Sequence, residues 1–82
     1  NPFKATTAIR YALPTAGPVH LAVYALNGQQ VRTLVQGVAN SGWHVARWDG
    51  LDDVGREVAS GVYLYRLDAT GGVRTGKMTL VR

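Results

Sequence analysis

The sequence predicts an antiparallel β-sandwich, and three observations predict it. Apolar residues recur at every second position rather than at every third and fourth. Glycine or proline interrupts the pattern roughly every eight to twelve residues. No window supports an amphipathic helix. Six or seven short strands with this punctuation fit a packed sandwich better than a barrel with a lumen.

Thr7, Ile9, Tyr11 and Leu13 alternate with Ala8, Arg10 and Ala12 and form the first strand. Pro14 ends it, and Thr15-Ala16-Gly17-Pro18 supplies a turn. Val19, Leu21, Val23 and Ala25 make the second alternation, with His20, Ala22 and Tyr24 on the other face. Asn27-Gly28 follows, a strong hairpin signal because both residues tolerate positive φ. The strand returns over 30–35, with Val31, Thr33 and Val35 on one side and Arg32 and Leu34 on the other. Residues 37–42 read as a small-residue loop. Trp43 to Trp48 is the fourth strand, closed by Asp49-Gly50. The polar run 51–57 suits successive turns, and Val58-Ala59 makes a short strand or bend. Val62 to Ala69 is the strongest strand of the chain. Gly71-Gly72 turns it, and 73–81 runs back with Met78 and Leu80 on one face.

Composition narrows the function classes. Eighty-two residues make one domain, near the lower size limit for folding without staples. There is no cysteine, which removes disulfides and thiolate chemistry. No apolar run approaches the length of a membrane span, and the start carries no signal-peptide pattern. The chain opens Asn1-Pro2-Phe3 without methionine, so the expectation is a piece excised from a longer protein. The net charge is +4, and all five acids fall between Asp49 and Asp68. Lys4, Arg10, Arg32, Arg74, Lys77 and Arg82 lie outside that interval. These cations are scattered rather than clustered, so nucleic acid is not expected as a partner.

Asp49, Asp52 and Asp53 are the only carboxylates grouped closely enough to weigh as a calcium site. Their spacing, with Gly55 and Glu57, fails the EF-hand pattern, and they read instead as turn-formers that accept backbone N–H bonds. Glycoside hydrolysis needs two carboxyl groups across a cleft, and acids on one turn of so small a domain do not build one. His20 and His44 fall in no nucleophile pattern, and two histidines without cysteine make a poor zinc set. Neither catalysis nor a cofactor is expected. Trp48, Tyr63 and Tyr65 read as core. Trp43 has the opposite strand parity, and an exposed tryptophan there is a candidate for stacking on a sugar ring or anchoring a partner. Tyr24 is a candidate for the same broad surface.

Several motifs in order carry a family resemblance: Asn1-Pro2-Phe3 with Thr6 to Tyr11, Val23-Tyr24 to Asn27-Gly28, Val31 to Leu34, and Gly42-Trp43-His44 to Trp48-Asp49-Gly50. Asp52, Gly55, Ser60-Gly61-Val62-Tyr63, Gly72 and Lys77-Met78 continue the series. The sequence resembles the immunoglobulin-like C-terminal domains related to the flagellar hook-capping protein, a group that includes sorting domains of type IX secretion. Lys4-Ala5 replaces the polar residue usual after Asn-Pro-Phe. The resemblance implies an immunoglobulin-like sandwich of about seven strands over 1–82, non-catalytic and C-terminal in a secreted bacterial protein. It implies sorting or cell-surface attachment, through secretion machinery or a cell-envelope component, with a parent enzyme or surface protein in cis. The family pattern carries onto Gly61, Tyr63, Gly72 and Lys77 as partner-recognition positions. An accessory carbohydrate-binding module using Trp43, or a structural spacer, is the alternative.

Overall fold

The computed structural model describes residues 6–81. The opening Asn1-Pro2-Phe3 motif, Lys4, Ala5 and Arg82 lie outside the described residues. Six strands run in chain order: β1 (Thr7–Leu13), β2 (Gly17–Ala25), β3 (Gln30–Ala39), β4 (Gly42–Trp48), β5 (Gly61–Ala69) and β6 (Gly72–Leu80). They form two antiparallel sheets, one of β1-β4 and one in the order β3-β2-β5-β6. The expected seventh strand is absent among the described residues. Val58-Ala59 is no strand, and nearby pairing is limited to a single Leu51–Glu57 bridge.

The core is the meeting of the two alternating faces. Ile9, Tyr11 and Leu13 of β1 and Ala46 and Trp48 of β4 cover Val19, Leu21 and Val23 of β2. Tyr63 and Leu67 of β5 and Met78 and Leu80 of β6 complete the cluster. Period-two patterning places these on inward positions; the residues between them in β1 are exposed, while in β2 the intervening Ala22 is itself buried. Trp48 is only 1% exposed, and its ring meets that of Tyr63 edge-on at 5.1 Å and 70°. Such T-shaped pairs add to the burial of area. His44 stacks on Tyr11 at 5.3 Å and bonds the Asn40 carbonyl at 2.7 Å.

Three local expectations need correction. The β2–β3 connection does not use positive φ at both residues of Asn27-Gly28; Gly28 alone has it, at 89°. Gly28 N–H donates to the Ala25 carbonyl at 2.9 Å, and Ala25 N–H to that of Gln29. This is a three-residue loop with glycine at the left-handed position, in which Asn27 Oδ1 instead accepts from Gln29 N–H. Second, β3 extends through Ala39, so the expected 37–42 loop shrinks to Asn40-Ser41. Third, strict alternation fails in β3. The register skips between Leu21/Ala22 and Val23/Tyr24, leaving Leu34 and Val31 as extra residues. Leu34 and Val35 therefore both pack against the core.

Candidate functional site

The acidic stretch after β4 is a structural clasp. Asp49 Oδ1 accepts from Leu51 N–H and from the Arg32 guanidinium, each at 3.1 Å. Arg32 and the Trp48 indole both donate to the Leu51 carbonyl, at 3.2 and 3.0 Å. Asp52 accepts from the backbone of Val54 and Arg56 and pairs with the Arg56 side chain. The backbone bond from Arg56, reinforced by that from Val54 and by the guanidinium, holds the Asp52 carboxyl below the usual range against a smaller desolvation penalty. Asp53 Oδ1 accepts from Thr33 N–H at 2.9 Å while Asp53 N–H donates to Val31. The loop is thus stitched to the first part of β3, at Val31 and Thr33.

The carboxylates of Asp49, Asp52 and Asp53 accordingly serve different partners in different directions. Among the described residues, no group of three or more His, Cys, Asp or Glu is placed to hold a metal ion. Arg32 is the clasp residue that sequence reasoning missed. Its partners lie 17 and 19 residues away, beyond the reach of any local pattern.

The four positions expected to meet a partner all fall on the β5–β6 hairpin. Gly61 stands opposite Leu80, Tyr63 opposite Met78, Lys77 opposite Leu64 and Gly72 opposite Ala69. They do not form one patch. Tyr63 is buried and its hydroxyl donates to the Ala59 carbonyl at 2.6 Å. Gly61 and Gly72, with φ of 154° and 144°, mark the two starts of these strands, where a side chain would be strained. Lys77 alone presents a charged, exposed side chain. Among the described residues β6 pairs with β5 only, so its other edge carries unpaired backbone groups.

A second surface lies on the opposite sheet. Ala8, Arg10 and Ala12 of β1 stand opposite Arg47, Val45 and Trp43 of β4, all facing away from the core and all exposed. Trp43 is 78% exposed and Val45 52%. Arg10, Trp43, His44 and Val45 line a shallow concavity there. Tyr24 does not share this surface; it lies on β2, beside Leu64 in the other sheet.

Burial of a mixed apolar face between antiparallel sheets, with turns and edges carrying the polar groups, defines an immunoglobulin-like sandwich. Among the described residues the site geometry adds clasps and edges but no acid–base or nucleophilic constellation. The family comparison goes further. The family model for the FlgD Ig-like domain matches residues 3–72, and the chain belongs to that non-catalytic family. The match ends where β6 begins, so Gly61, Tyr63 and Gly72 fall within it and Lys77 beyond it. No curated protein matches the chain, and no solved structure matches it.

Proposed function

We propose that this FlgD-type Ig-like domain acts as a non-catalytic sorting and attachment module at the C-terminus of a longer secreted bacterial protein. Secretion machinery or a cell-envelope component reads it at the outer membrane or cell surface. The observation that supports this most is the contrast between the two edges of the four-stranded sheet. The 51–57 loop is bonded to β3 at Val31 and Thr33, whereas among the described residues β6 pairs with β5 alone and carries Lys77 outward. An unpaired edge offers a partner a ready row of main-chain donors and acceptors, with side chains at alternate positions for selectivity. On this reading Gly61, Tyr63 and Gly72 shape the hairpin and Lys77 meets the partner.

The test is a reporter that carries a signal peptide and this domain at its C-terminus, expressed in a bacterium with type IX secretion. Display at the cell surface that depends on the domain is expected. Lys77→Glu, at an exposed position, is expected to reduce display while leaving the circular dichroism spectrum unchanged. A reporter that stays in the periplasm, or reaches the surface equally well without the domain, refutes the proposal.

A further inference from the structure

We infer that the outer face of the β1–β4 sheet binds an acidic polysaccharide, with Trp43 stacking on a sugar ring and Arg10 and Arg47 holding its carboxylates. The inference does not depend on the sorting role, because β6 belongs to the other sheet.

The charge distribution comes first. The aspartates are spent internally: Asp49 on Arg32, Asp52 on Arg56, Asp68 on Arg66, and Asp53 on the backbone of Thr33. Arg10 and Arg47 enter no ion pair among the described residues. Register puts them diagonally adjacent on one face, with Trp43 diagonally across from Arg10 on its other side. No acid lies on β1 or β4.

The hydrogen-bonding character narrows the ligand. The outward-pointing polar groups of the two strands are the guanidinium N–H groups and the indole N–H of Trp43, which are donors only, while His44, which also lines the concavity, has Nε2 bonded to the Asn40 carbonyl and its ring stacked on Tyr11. Ala8, Ala12 and Val45 supply methyl surface between them. A ligand that matches must be rich in acceptors and also have an apolar side to lay on the indole. Polyuronates have both: carboxylates, and the C–H faces of the sugar rings.

Size and charge argue against other polyanions. Two strands of seven residues span about 10 by 23 Å, well under the roughly 800 Å² per partner of a stable protein interface. An extended acidic peptide lying on side chains alone finds no acceptor for its own backbone N–H groups. Nucleic-acid binding draws on neutralising about six to ten phosphates, and two arginines supply a small part of that.

Calorimetric titration of the 82-residue chain with polygalacturonate tests the inference, with neutral galactan, poly-L-glutamate and single-stranded DNA as comparators. Polygalacturonate is expected to bind tightest, quenching Trp43 emission, with a log–log salt slope near two in magnitude. Trp43→Ala and the double variant Arg10→Gln/Arg47→Gln are each expected to weaken it roughly tenfold or more. Arg74→Gln, an equal loss of charge on β6, is expected to change affinity less than about twofold. Binding that is absent, that survives Trp43→Ala, or that Arg74→Gln weakens as much as the face variants overturns the inference. So does galactan, polyglutamate or DNA binding as tightly as polygalacturonate.

Discussion

Replacing Trp48 with alanine is expected to unfold the domain or bring it close to unfolding. The indole is the largest fully buried side chain, and it joins β4 to Tyr63 across the sandwich. Aromatic-to-alanine changes in a core cost about 3–5 kcal/mol. A chain of this length has a total stability of roughly 4–12 kcal/mol. At about 4–8 °C per kcal/mol for a domain of this size, Tm falls on the order of 12–40 °C. Urea unfolding followed by far-UV circular dichroism measures it directly. Trp48→Phe separates packing from hydrogen bonding. It removes the indole N–H from the Leu51 carbonyl, but Arg32 still donates to that oxygen at 3.2 Å. The phenylalanine variant is therefore expected to lose only about 1–2 kcal/mol. Adding Arg32→Met leaves the carbonyl without either donor, and the pair should be non-additive by about 1 kcal/mol. A Trp48→Ala protein that loses less than about 1.5 kcal/mol would refute the assignment of this residue as the centre of the core.

Three further outcomes are expected. Asp52 has a folded pKa below its unfolded value, so its contribution is complete above the ordinary aspartate range and fades as pH falls through the lowered value. Acid titration of Tm should show a fall beginning below about pH 4–5 that is shallower in Asp52→Asn; an unchanged slope would count against the clasp. A Cβ at Gly76 would come within 2.5 Å of Tyr65 Cζ, so Gly76→Ala should destabilise by about 1–3 kcal/mol, with much of it recovered by Tyr65→Ala in urea-denaturation cycles. Wild-type emission should resolve into a blue component from Trp48 and a red one from Trp43, and acrylamide should quench only the latter; equal quenching refutes the exposure difference.

Strand existence was legible because half-buried strands print their environment every second residue. β1 and the inward set of β2 read directly from the alternation, and Trp48 and Tyr63 declared themselves by size and parity. β3 did not. It is an edge strand with exposed residues at Gln36, Gly37 and Val38, so its second half carries no alternation to read. Its bulges shift the parity of Leu34 and Val31, and nothing local announces a bulge. The acids could be read as turn-formers from spacing, but not their docking onto β3, since Thr33 and Asp53 are 20 residues apart. Trp43 was legible as the outward tryptophan by parity. That Arg10 and Arg47 flank one another there depended on the β1–β4 register, which the sequence does not print.

β6 is the last of the strands among the described residues, where it brings Met78 and Leu80 into the core and pairs with β5 alone. The order of synthesis therefore matters. Until β6 emerges, β5 has a bare edge and the space beside Tyr63 has no cover. A chain emerging from its N-terminus cannot lock this domain early, because the piece that closes it arrives last. A copy cut short before β6 lacks Met78 and Leu80 from its core and leaves one edge of β5 bare.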